Sequence, residues 1–303
     1  MSFWFRQRHV LRKYDPDQPR DAHGRWGSGG VSVKEAEGLI ATDRAIEQRA
    51  TKIVQNYDQA KSDYNQLKDS RGGSILNTDT ARELSPDYMK DRSRAAAVHE
   101  PSSAFIKELY KEKLSEAPTG DKLPLVLFTA GGTGAGKSTA LDSIPEMKAL
   151  SDHAQIVYDT NMNTYESALN KVNQALDAGK EVHITMVQRD PVDALVNGAL
   201  SRATRQEKDF GSGRTVPLAE HVKTHIGSST TVERLAEHFK NDDRVQFDLI
   251  DNSNGKGGAK LVPMSEIKHY DRDETIARVR TALESEHENG RISDRTYKGF
   301  KDY

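Results

Sequence analysis

Eight consecutive residues, Gly131-Gly132-Thr133-Gly134-Ala135-Gly136-Lys137-Ser138, have the types and spacing of a phosphate cradle. They fit G-x-x-x-x-G-K-[ST], in which glycines let successive backbone N–H groups turn inward around phosphate oxygens. Lys137 would reach the β- and γ-phosphates, Ser138 would place its hydroxyl on Mg²⁺, and Thr139 would carry the loop into a helix. Average composition would bring the four fixed positions together in about 1% of chains this long. The flanks strengthen the signal, because residues 125–129 read as a buried strand and 138–141 as the start of a helix. The ligands implied are ATP and magnesium.

Other residues could complete the chemistry. Asp159 ends the apolar run Ile156-Val157-Tyr158, and in an open α/β sheet the carboxyl ends of strands face the ligand crevice. There it would polarise an acceptor hydroxyl or hold a magnesium-bound water; the competing reading is a helix-cap or turn aspartate. Arg202 and Arg214 flank a polar stretch, 205–215, that reads as a mobile loop, and planar guanidinium groups suit the charge spread over a transferring phosphoryl group. Solvated loop arginines are the alternative, and the favoured reading for Arg205. Asp190 precedes Pro191 and reads first as a helix cap. Asp152 is a lesser candidate. His183, His221, His225 and His238 show no metal-ligand spacing and read as structural or surface residues.

These residues need a scaffold that brings strand ends together. Runs at 125–129, 155–159, 182–187 and 245–250 read as strands, with helices between them at 165–178, 190–200 and 232–239 and a short strand at 260–262. That alternation implies an α/β fold with a parallel sheet and crossover helices. Before it, apolar residues three or four apart imply one long amphipathic helix over 32–69, capped by Ser32, then shorter helices at 80–84, 86–98 and 103–114. Residues 265–303 read as mostly helical. The expected organisation is a basic, Pro/Gly-rich tail at 1–31, a helical region at 32–118, and a nucleotide-binding domain with carboxy-terminal helices at 119–303.

Composition narrows the function classes. The 303 residues carry 44 basic and 46 acidic side chains, a formal charge of −2, so a general attraction to nucleic acid or membrane is disfavoured. There is no cysteine, which excludes disulfides, thiolate nucleophiles and Cys-based zinc sites. No apolar run has the length of a membrane span, and the start lacks a secretory apolar region, so a cytoplasmic protein is expected. Six Lys/Arg against three Asp give the tail a local charge of +3, with Trp4, Phe5 and Trp26 as candidate docking anchors.

Residues 126–262 resemble the zeta-toxin family of P-loop kinases. GGTGAGKST is similar to the family's phosphate loop. IVYDTNMNTYESALNKVNQALDAGKEVHITMVQRDP resembles its strand–acid–helix–glycine–strand run, SRATRQEKDFGSGRTVP its arginine-bearing lid, and DLIDNSNGKGGAKLV its closing strand and turn. The resemblance implies that Lys137 and Ser138 bind ATP–Mg²⁺ while Arg202 and Arg214 clamp the transferred group. It also implies a UDP-N-acetylhexosamine or similar small acceptor, and an antitoxin as partner in a bacterial cell. One feature departs from the family, which has a strand soon after the phosphate-loop helix ending in a catalytic aspartate. Here only 145–154 separate that helix from the next strand, so Asp159 takes the base role or the usual base is missing. The tail motif D-P-x-Q-P-R-D…G-R-W resembles phage head-associated proteins, implying a phage-particle partner. The second reading is therefore a virion-associated, nucleotide-binding interaction protein with little turnover.

Overall fold

The computed structural model describes residues 30–255 and 257–301; the expected basic tail, with Trp4, Phe5 and Trp26, lies outside them. Six strands form one sheet: β1 (Ile75–Asn77), β2 (Leu123–Ala130), β3 (Ala154–Asp159), β4 (Glu181–Gln188), β5 (Val245–Asp251) and β6 (Lys260–Val262). Their spatial order is β1-β3-β2-β4-β5-β6. All neighbouring pairs are parallel except β5 and β6. The fold is thus α/β, a mostly parallel sheet flanked by helices and preceded by a helical region. The strand β2 occupies the middle and is buried on both faces, which explains its unbroken apolar run.

Each face of the sheet has its own cover. On one side Phe128, Tyr158 and Ile184 pack with Tyr64, Phe105, Leu109 and Tyr110 from the amino-terminal helices and with Val172 and Leu235 from later ones. Tyr158 meets the Tyr110 ring edge-on at 5.0 Å and stacks on Phe128 at 5.8 Å. On the other side Leu127, Val157 and Ile250 pack against Leu141 and Met147, which follow the phosphate loop. The amino-terminal helices therefore share the main core of the sheet.

Several helix boundaries differ from the sequence expectation. The long helix starts at Ala41, not Ser32, and divides at Asn56 into Ala41–Gln55 and Tyr57–Gln66. Gly38 turns the chain with φ +73°, and residue 36 folds back so that its N–H meets the Glu47 carboxylate at 2.7 Å. The stretch 205–215 is mostly helix, not loop: Ser201–Phe210 ends at Gly211, whose φ of +76° is the left-handed stop that glycine provides. The helix foreseen at 232–239 is the end of Leu218–His238. Its first half buries His221, Thr224, His225, Ser228 and Ser229 beside Leu218 and Val222, so polar residues mask the apolar stripe there. The strand β1 was not foreseen at all. Among the described residues no helix is long and apolar enough to cross a membrane.

Candidate active site

The loop after β2 takes the conformation its glycines permit. Gly134 and Gly136 have φ of +79° and +80°. A Cβ on Gly134 would lie 2.2 Å from the Ala194 carbonyl oxygen, and one on Gly136 would lie 2.7 Å from the Asn252 amide. The helix Lys137–Ser143 follows directly. Ala194 belongs to a π-helical stretch, Ala194–Leu200, that packs against the loop, a helix form frequent at functional sites.

The polar face of Leu218–His238 supports this loop from behind. The Thr133 N–H donates to Thr224 Oγ1 at 3.0 Å, and His225 Nε2 donates to the Thr133 carbonyl at 3.1 Å. His221 Nε2 donates to the Pro191 carbonyl at 2.8 Å. Burial pushes the His221 ring down to about 4, while burial and the neighbouring His221 push His225 down to about 3. Both rings are neutral in the fold and structural, as expected. In the unfolded chain they take up protons below about 6.5, so stability is complete above that pH and falls as pH drops towards 4 and 3. Each contributes up to about 1.4 kcal/mol per pH unit in that window. Thermal unfolding should show a clear loss between pH 7.5 and 5; a flat profile would contradict neutral buried histidines.

Lys137 lies along the loop, with Nζ donating to Asn161 Oδ1 at 2.9 Å and to the Gly131 carbonyl at 3.4 Å. Burial lowers its pKa, with Asp159 and Asp79 acting in the opposite direction. Asp159 accepts from Thr129 Oγ1 at 2.6 Å and from Asn77 Nδ2 at 2.5 Å. The register explains this row, since Asn77 pairs with Asp159 and Asp159 with Thr129 across three adjacent strand ends.

Arg202 and Arg214 come to the same place from opposite sides of Gly211. Arg214 pairs with Asp79, as does Arg82 at 3.2 Å. Burial would raise the Asp79 carboxyl, but Arg214, Arg82 and Arg202 outweigh it and hold the group well below the usual carboxylate range. The charge of Arg214, and then burial, bring Arg202 down to about 10. Its Nε and Nη2 are buried with no hydrogen-bond partner among the described residues.

Two adjoining cavities meet at this cluster. One, of about 980 Å³, is lined by Gly134–Thr139 on one wall and by Arg189 and Asn252 beyond it. The other, of about 600 Å³, is lined by Asn161, Lys107 and Lys171. Asp79, Lys137, Asp159, Arg202 and Arg214 line both. The sequence candidates Lys137, Ser138, Thr139, Asp159, Arg202 and Arg214 thus converge, with Arg205 on the edge of the larger cavity. Gly131 and Gly132 sit behind the loop against Val187 and His225. Asp190 is a helix cap, accepting from Val192 N at 2.9 Å, and Asp152 pairs with Lys148 and Arg71 on the surface.

Sequence reasoning missed Asn77, Asp79, Arg82, Asn161, Arg189 and Asn252. Arg189 and Asn252 directly follow β4 and β5, and Asn161 lies two residues past β3, so a survey of every strand's carboxyl end would have found them. Asn252 Nδ2 donates to the Ala135 carbonyl at 2.7 Å. Arg189 Nη1 reaches the Gly134 carbonyl at 3.4 Å and its Nε pairs with Asp193.

The donor set for magnesium is compatible with that hard cation, because Ser138 and Asp159 present oxygen to the same cavity. No cluster of three His, Cys, Asp or Glu occurs among the described residues. No curated protein matches the chain. A crystal structure of an AvrRxo1-ORF1:-ORF2 complex is similar at 12% identity and a TM-score of 0.42, covering 84% of this chain and 82% of that one. Residues 145–274 match the family model described as Zeta toxin.

Proposed function

We propose that the protein is an ATP-dependent kinase that transfers the γ-phosphate to a hydroxyl of a small metabolite. The observation supporting this is the meeting of two cavities at Lys137, Asp159, Arg202 and Arg214, which gives a donor and an acceptor separate seats around one cluster. The amides of Gly134, Gly136, Lys137 and Ser138, which line the larger cavity, and the Lys137 ammonium hold the triphosphate. Arg202 and Arg214 face the negative charge that spreads over the transferring group, and Asp159 orients the acceptor hydroxyl and takes its proton. Magnesium, which the Ser138 hydroxyl would hold, would neutralise charge on the β- and γ-phosphates. The match to the Zeta toxin family model suggests a nucleotide-sugar acceptor such as a UDP-N-acetylhexosamine, and a protein partner that restrains the enzyme. Incubating the protein with labelled ATP and a bacterial metabolite extract should yield one labelled small molecule. ATP binding with no labelled product would make it a nucleotide-binding protein without turnover, and no ATP binding would overturn the reading.

A further inference from the structure

The strand β1, at one edge of the sheet, comes from the region 32–118 that was expected to be helical. It has only three residues, Ile75–Asn77, yet several contacts fix it. The Val157 N–H donates to the Ser74 carbonyl at 2.9 Å. The buried Tyr64 hydroxyl donates to the Ile75 carbonyl at 2.8 Å and accepts from the Asn77 N–H at 3.0 Å. Asn77 then serves two neighbours with one side chain. Its Oδ1 accepts from the N–H groups of Asp79 and Thr80 at 2.6 and 3.3 Å, starting a short helix, while its Nδ2 donates to Asp159. The helix places the Asp79 carboxylate between Arg214 and Arg82, beside Arg202.

We propose that Asn77 and Asp79 are positioning residues for phosphoryl transfer, Asn77 by fixing the Asp159 carboxylate and Asp79 by fixing the Arg214 and Arg82 guanidinium groups. This rests on the kinase reading above. It gives the region before the phosphate loop a part in the chemistry, although it lies outside residues 145–274, which match the Zeta toxin family model. Three guanidinium groups in one recess repel one another, and a shared carboxylate lets them converge. The charge balance agrees: Lys137, Arg82, Arg202 and Arg214 against Asp79 and Asp159 leave a formal surplus of two positive charges, which complements ATP carrying one magnesium ion. Asp79 can therefore stay in place when the nucleotide enters. Its side chain keeps 40% of its surface exposed, and it lines both cavities. A misplacement of about 1 Å in such a site costs about 100-fold in rate.

The test compares the full chain with Asp79→Asn, Asp79→Glu and Asn77→Asp, using MgATP with water as acceptor and then with the metabolite extract. Asn77→Asp keeps the oxygen that starts the helix and loses the N–H that holds Asp159. We expect Asp79→Asn and Asn77→Asp to lower kcat by about 100-fold while KM for ATP changes by less than about tenfold. Rates are compared at a temperature where each variant is folded, since Asp79→Asn leaves Arg214 and Arg82 without their carboxylate and lowers the unfolding midpoint. Asp79→Glu should recover part of the loss. A kcat at or above the parental value would overturn the proposal and make Asp79 an internal competitor of phosphate. A kcat loss confined to temperatures where the variant unfolds, with no recovery in Asp79→Glu, would also overturn it by showing a purely structural role. Calorimetry separates the two levels of argument: a parental chain that binds no ATP sinks the kinase reading and this proposal together. A parental chain that binds and turns over ATP, with variants that match it, sinks this proposal alone.

Discussion

Replacing Lys137 by alanine is expected to lower ATP turnover by about three orders of magnitude while the protein stays folded. The ammonium is partly buried and its hydrogen bonds go to two neutral acceptors, Asn161 Oδ1 and the Gly131 carbonyl. No carboxylate pairs with it directly among the described residues, so a bound anion would be its natural counter-ion. Loss of the side chain removes a desolvated charge without leaving a buried partner charge uncompensated, which is the event that unfolds proteins. The substitution should therefore separate chemistry from stability. Labelled-ATP turnover and a thermal unfolding curve on the same preparation check both halves. Parental ATP consumption by Lys137→Ala would show that the phosphate site has been misassigned.

The second large effect is expected at Arg202. Its guanidinium carries buried, unpartnered nitrogens and stands against the like charge of Arg214. A phosphoryl group in transfer would supply the direct anionic partner that Arg202 lacks in the free protein, where Asp79 pairs with Arg214. Arg202→Ala should lower kcat by about 10³-fold, with a smaller change in KM for ATP. Arg202→Lys should not restore the rate, because an ammonium lacks the planar fork. Removing Arg202 also relieves repulsion in the free protein, so the unfolding midpoint should stay level or rise. Single-turnover kinetics with a thermal shift would test the pair of signs; rate loss with a large drop in the midpoint would argue that Arg202 is structural.

The readability of this protein followed the physics of each element. The central strands β2 to β5 were legible because burial on both faces demands continuous apolar runs. The glycine-rich loop after β2 was legible because its backbone geometry excludes side chains at fixed positions. The helix Leu218–His238 was half hidden, since its early turns bury hydroxyls and imidazoles that bond to the loop backbone. Polar residues from 205 onward suggested a loop over 205–215, although Arg, Gln, Glu and Lys at 205–208 are all good helix formers.

By itself the sequence determined the glycine-rich loop between β2 and the helix Lys137–Ser143 and the parallel α/β scaffold, since each depends on residues near one another in the chain or on a periodic pattern. Only the tertiary structure decided what completes the cluster. The three-residue strand β1 is too short to show a period, and its place beside β3 depends on Tyr64 and on contacts about 80 residues apart, such as Asn77 with Asp159. Pairings over that separation are set by which surfaces bury each other, and no local pattern records them.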